Sequence, residues 1–286
     1  MRGKPIRAPI RIRYHGGMSE RLESAPFFPP VETALREPNG LLAMGGDLSP
    51  ARLLDAYRHG IFPWFNPGDS ILWWSPDPRM VLVPGEVRVT RSLAKRLRNS
   101  GFEVRVDTAF TEVMRACAAP RPPGGRAPAR GTPAGSPLLC SDPSAVSGGV
   151  LLAGAAPREG ETGTWISPAM VAAYSRLFDA GYAHSVETWR DGRLVGGLYG
   201  VAIGRMFYGE SMFSREPDAS KVALVRLARQ LQQWNFGLVD CQMETPHLAS
   251  LGARTMPRAM FTARLAELVK LPHLPGPWTL TFNAPD

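Results

Sequence analysis

Apolar positions along this chain recur in two rhythms. In ARLLDAYRH (51–59), RSLAKRLRNS (91–100), MVAAYSRLFDA (170–180) and ASKVALVRLARQLQQW (219–234) they return every three to four residues, as one face of a helix requires. In YAHSVETW (182–189), RLVGGLYGVAI (193–203) and RMFYGESMF (205–213), short apolar runs separated by Asp191-Gly192 and Gly204 read as three strands joined by hairpin turns. The ends of the helices are marked by residues that satisfy or release free backbone groups. Ser49 before Pro50, Thr90 before Arg91 and Ser167 before Pro168 read as N-caps, and Gly60, Gly101 and Gly181 stand where a left-handed C-terminal residue is wanted. Asp107 is expected to cap the short helix TAFTEVMRACA (108–118), and Asp218 the helix from Ala219. Gly237 releases the chain into a last strand, LVDCQM (238–243), with two short helices after it. Helix, three strands, helix, strand, helix is the order of a mixed sheet with helices packed on its faces, so the fold class is α+β.

Residues 121–160 interrupt these rhythms. They are rich in Pro, Gly, Ala and Ser with almost no periodic apolar face, and read as a disordered insertion. The first 26 residues read as a basic flexible tail; they lack the continuous apolar stretch of a secretory signal, and no later run reaches transmembrane length. Three cysteines, an odd count with no CxxC and no metal-ligand spacing, argue against a disulfide framework, and with no secretory or transmembrane stretch a cytoplasmic chain is expected. The formal charge of +8 suits a polyanionic partner, although the basic residues are nearly all arginine and a compositional bias accounts for part of the surplus.

The chemistry sits in the strands. Side chains alternate along a strand, so Leu238, Asp240 and Gln242 share one face while Val239, Cys241 and Met243 share the other. The same parity puts Met206, Tyr208 and Glu210 together on a second strand. Burying these acids without partners costs several kcal/mol. The bland reading is a structural acid paired with an arginine such as Arg215 or Arg254; three polar groups on two strands favour a site instead. No GxSxG, HExxH or P-loop is present, GGLYG lacks the strand-to-helix context of a dinucleotide site, and His184 and Ser185, being adjacent on a strand, face opposite ways. Phe62, Trp64, Phe65, Trp73 and Trp74 fall within one proline-rich stretch. Trp73 or Trp74 is expected in the core, whereas Trp64, in a stiffened turn, and Trp165, just before a helix, are placed to present a ring to a flat ligand such as a base. An acyl-CoA-dependent acetyltransferase and a noncatalytic RNA-binding protein stay open as rivals. The first lacks a pyrophosphate loop ahead of Ala219, where Pro217 and Asp218 stand; the second leaves the strand acids unexplained.

The motifs EPNGLLAMGGDLSPARLLDAYRHGIFPWF, ILWWSPDPR, GTWI, AHSVETW, LVGGLYGV, GESMFS, ASKVAL and VDCQ followed by ASLGA together resemble the leucyl/phenylalanyl-tRNA–protein transferases of bacteria, in order from about Phe27 to Arg258. The resemblance implies an enzyme that moves Leu or Phe from aminoacyl-tRNA to the N-terminal Arg or Lys of a protein and so marks it for degradation. It implies no cofactor, and a monomer is expected. It also implies a small N-terminal α+β domain (27–89) followed by an acetyltransferase-like, GNAT-related mixed-sheet domain (90–286). Carried over by position, Asp240 and Gln242 are the catalytic pair, with Asp240 the candidate base and Gln242 its relay or the group that orients the amine. Glu210 stands beside the amino group of the carried residue. Trp64 and Trp165 correspond to aromatics around the terminal adenosine, and Tyr57 and Tyr174 to tyrosines near that end. Leu198, Phe207, Met212, Leu224, Leu227, Leu231 and Val239 map to the apolar pocket; Leu227 and Leu231 stand where the family can carry phenylalanine.

Overall fold

A computed structural model of the chain describes residues 28–119 and 165–280, together with the backbone of residues 11–14 and 17–22. The 121–160 insertion therefore lies outside the described residues. The smaller of two sheets is built from β1 (Arg11–Tyr14), β2 (Gly17–Leu22), β3 (Leu41–Gly45), β4 (Phe62–Pro63) and β5 (Leu72–Trp74) in the order β1-β2-β3-β5-β4. Two short strands thus occupy part of what reads from sequence as a tail. The larger sheet takes β6 (Arg79–Leu82), β7 (Glu103–Val106), β8 (Ala183–Arg190), β9 (Arg193–Ile203), β10 (Met206–Ser214), β11 (Leu238–Gln242) and β12 (Arg254–Met256) in the order β12-β6-β11-β10-β9-β8-β7. Only β10 and β11 run parallel in it, so the sheet is mixed and the fold α+β. β6 lies within 27–89 in sequence yet pairs with β11 and β12 in this sheet.

Helices cover both faces. The helices α1 (Pro50–Arg58), α3 (Phe110–Ala118), α4 (Pro168–Asp179) and α7 (Arg258–Leu268) share one buried apolar cluster with the smaller sheet. On the other face lie α2 (Arg91–Asn99), α5 (Ala219–Gln233) and α6 (Pro246–Ser250), which share a second cluster. Gly196 makes the close approach of α5 possible: a Cβ there would stand 2.5 Å from that of Ala219. No described helix is long and apolar enough to cross a membrane.

Local capping follows the sequence where the cap is a hydroxyl. Ser49, Thr90 and Ser167 each accept a hydrogen bond from the backbone three residues on, worth about 1 kcal/mol apiece. The two aspartates differ. Asp107 takes a left-handed conformation and does not cap α3; its carboxylate accepts from Ser185 N, His184 Nδ1 and Trp278 N, and Glu187 on β8 accepts from Ala109 N and Thr108 Oγ1 at the start of α3. Asp218 stands at the N-cap position of α5 but makes no side-chain cap; its carboxylate pairs with Lys221 and Arg96. In both cases a nonlocal or charged partner outcompetes the helix end.

Candidate active site

Two bulges aim the polar residues. Along β10 and β9, Gly209 pairs with Gly200 and Ser211 with Tyr199, which leaves Glu210 as the extra residue. Along β11 and β6, Asp240 pairs with Val81 and Gln242 with Met80, leaving Cys241 extra. The first bulge also reverses the alternation: Phe207 and Met212, an odd number of residues apart, both enter the α5-side cluster, while Tyr208 and Phe213 enter the other. The pairs between β10 and β11 run from Met206↔Leu238 to Tyr208↔Asp240 and stop there. Glu210 and Gln242 follow immediately, joined by their side chains.

Glu210 is buried and accepts three hydrogen bonds, from Tyr57 Oη (2.7 Å), Gln242 Nε2 (3.0 Å) and Tyr174 Oη (3.1 Å). The two tyrosine oxygens, α1 to α4, also lie within hydrogen-bond reach of each other, but with one hydrogen apiece they bond each other only when one of them gives up its bond to the carboxylate or Glu210 itself carries a proton; Tyr208 Oη donates to the backbone carbonyl of Tyr57. Burial pushes the Glu210 carboxyl up to about 7, and the nearby Asp240 charge pushes the same way, against the three donors, which lower it. Burial first, and the Glu210 charge second, hold the Tyr57 and Tyr174 hydroxyls well above the usual tyrosine range, so both remain donors at neutral pH.

Asp240 is fully buried and paired with neither Arg215 nor Arg254. Its partner is Arg79 of β6, whose Nε and Nη2 reach Oδ1 and Oδ2 at 2.8 and 2.7 Å. Arg215 instead donates to Leu194 O, and Arg254 pairs with Glu86. The Asp240 Oδ1 atom also accepts from the backbone N–H of Gln242 (2.9 Å), and Gln242 holds a left-handed φ of 64°. Gln242 Oε1 is buried without a hydrogen-bond partner among the described residues. The site therefore contains a carboxylate with three donors beside an amide oxygen that still has both lone pairs.

The apolar residues expected to line a pocket, Leu198, Phe207, Met212, Leu224, Leu227, Leu231 and Val239, are all buried in the α5-side cluster. Trp165, with an indole N–H that has no partner among the described residues, is buried in the opposite cluster, and half-buried Trp64 packs at its margin, 5.5 Å from the Trp74 ring. Trp73 and Trp74 are both core. His184 and Ser185 do not form a pair: His184 bonds Asp107 and Ser185 bonds Glu187. Arg79 and Trp278 escape the sequence reading. A buried Asp240 signals that some cation must meet it, but nothing local says which.

A mixed sheet that holds a buried, raised-pKa carboxylate has room for acid-base chemistry, and the relatives of the chain give its class as a transferase. Two comparisons give the family: its description, leucyl/phenylalanyl-tRNA protein transferase, matches residues 81–127 and 146–266, and that of its N-terminal domain matches 46–77. A leucyl/phenylalanyl-tRNA–protein transferase of Thiobacillus denitrificans is 71% identical over 262 residues, 92% of this chain and 99% of its own. One of Nitrosomonas europaea is 54% identical over 268 residues, 94% and 98% of the two chains. The chain belongs to the leucyl/phenylalanyl-tRNA protein transferase family. A GCN5-related N-acetyltransferase from Kribbella flavida is similar in backbone at a TM-score of 0.30 and 13% identity, over 73% of this chain and 61% of that one, a likeness too slight to build on.

Proposed function

We propose that this chain transfers leucine or phenylalanine from charged tRNA to the N-terminal Arg or Lys of a protein, marking that protein for degradation, and that it acts as a cytoplasmic monomer. The observation that carries the reading is the buried Glu210 carboxylate, with its three donors, just past the end of the β10–β11 pairing. Glu210 receives the α-amino group of the carried residue. Its side chain enters the space among Leu198, Phe207, Met212, Leu224, Leu227, Leu231 and Val239. The terminal adenosine meets Trp64 and Trp165, with Tyr57 and Tyr174 fixing Glu210 from the same side.

The reaction is aminolysis of an ester. The acceptor nitrogen attacks the aminoacyl carbonyl, a C–N bond forms, the C–O bond to the ribose breaks, and the ribose oxygen takes up the proton that the amine loses. Holding amine and ester in line is worth about 7 to 11 kcal/mol. The attacking amine must be neutral, and an α-amino group with a pKa near 8 is mostly protonated at pH 7. Gln242 Oε1 accepts an N–H of that amine and orients its lone pair toward the carbonyl. Asp240, whose oxygens already accept three N–H groups and whose charge Arg79 offsets, acts through Gln242 by holding its backbone in place.

Labelled leucyl-tRNA incubated with the protein and a peptide beginning in Arg should leave RNase-resistant label in the peptide, and none in a peptide beginning in Glu. Label in neither peptide overturns the reading.

A further inference from the structure

Arg79 comes from a strand far from Asp240 in sequence, yet it is among the largest fully buried side chains. Its guanidinium lies between two rings, 4.8 Å from the centroid of Phe62 and 4.8 Å from that of Phe261. Such faces hold a planar cation by attraction to the ring quadrupole and leave only its edges to bond. One edge is used in full, as Nε and Nη2 make parallel bonds to the two oxygens of Asp240. That fork fixes the Asp240 carboxylate in rotation as well as position. The same Oδ1 then accepts the backbone N–H of Gln242, two residues on, as in an Asx-turn. This bond holds Gln242 in a left-handed conformation that a non-glycine residue adopts only under constraint. From there the Gln242 side chain reaches Glu210. The β6–β11 bulge, at Cys241, falls between Asp240 and Gln242.

We infer that Arg79 is a positioning residue of the transfer reaction: clamped by Phe62 and Phe261, it locks Asp240, and through it the backbone of Gln242, so that the Gln242 amide spans from Glu210 to the attacking amine. The inference rests on the function proposed above. A charge alone would offset Asp240; the fork does more, because only it dictates which way Oδ1 points.

Arg79→Lys separates the two roles, since a lysine keeps the charge but offers its donors from one atom. Single-turnover transfer should fall by roughly 10- to 100-fold, with KM for leucyl-tRNA changed less than about threefold, because a displaced amide harms the reaction more than the binding. A crystal structure of the same variant should show Gln242 Nε2 withdrawn from Glu210 and its φ out of the left-handed region. If Arg79→Lys does not fold, Arg79→Gln combined with Asp240→Asn removes both buried charges together and leaves two facing amides, and the position of Gln242 in its crystal structure decides, because Asp240→Asn is expected to lower the rate by itself. A variant that keeps Gln242 on Glu210, or that transfers at the wild-type rate, overturns the inference. If the wild-type protein itself transfers nothing, the proposed function fails, and the position of Gln242 in the variant still decides what Arg79 does.

Discussion

Gln242 donates its side-chain N–H to Glu210 across 3.0 Å, just past the last backbone pair of β10 and β11. A side-chain bond thus takes over where the ladder ends. Its donor is set by Asp240 and Arg79 on one side of the sheet gap, and its acceptor by Tyr57 and Tyr174 on the other.

Glu210 makes both stability and activity depend on pH. Unfolded, its carboxyl titrates near 4.5; folded, burial raises this to about 7. Between those values the folded chain holds a proton that the unfolded chain has lost, so stability falls as pH rises from about 4.5 to about 7, by roughly 3 kcal/mol in total. Glu210→Gln should abolish this part of the profile and unfold at a higher temperature than wild type at pH 8. Transfer by the wild type, which needs the carboxylate to hold the substrate ammonium, should rise with pH through an inflection near 7 from Glu210, below the further rise near 8 as the attacking amine loses its proton. Parallel melting curves for the two proteins across pH 5 to 8 would contradict the assignment.

Tyr57→Phe and Tyr174→Phe each remove a donor that lowers the Glu210 pKa. The inflection in kcat/KM should therefore move to higher pH, by up to about one unit if the lost bond is worth about 1.4 kcal/mol. Each should also lower stability by about 1 to 3 kcal/mol, since a buried acceptor loses a partner. Rate profiles and thermal unfolding on the same preparations check both effects.

The apolar pocket should separate side chains by where they branch. Leu- and Phe-charged tRNA should react well, and Met tolerably, while Ile and Val, bulky at Cβ, should react more slowly. Missing or misplaced methylenes are worth only about 1 to 3 kcal/mol, so Val-charged tRNA should lose 10- to 200-fold in kcat/KM and retain measurable transfer. Competition between labelled Leu- and Val-tRNA gives the ratio directly.

Trp278 anchors the segment after α7. Its ring stacks on His184 at 3.4 Å between centroids, its backbone N–H donates to Asp107, and it packs near Phe207 and edge-on to Trp234 and Phe236. Trp278→Ala should cost about 3 to 5 kcal/mol, the range for an emptied aromatic site. A drop in melting temperature of only a degree or two would show that the segment contributes little to the fold.

Sequence alone determined the features whose causes lie within a few residues. Ser49, Thr90 and Ser167 mark helix starts because a hydroxyl reaches an N–H three residues away wherever the chain goes next. Gly204 and Asp191-Gly192 set the turns between β8, β9 and β10 because positive φ is a local demand. Alternation put Asp240 and Glu210 on strands as buried acids, since the pleat has a fixed period. Tertiary structure decided the rest. The bulge at Glu210 depends on how β10 registers against β9, and it alone lets Phe207 and Met212 share a face. Asp107 looks like a cap, but the backbone of Trp278 and Ser185 and the ring of His184, brought to it by folding, compete for the same oxygens. Arg79 and Asp240 are 161 residues apart, and no local pattern distinguishes that arginine from the many others. A buried charge demands a partner, and only the packing of the sheet specifies which side chain reaches it.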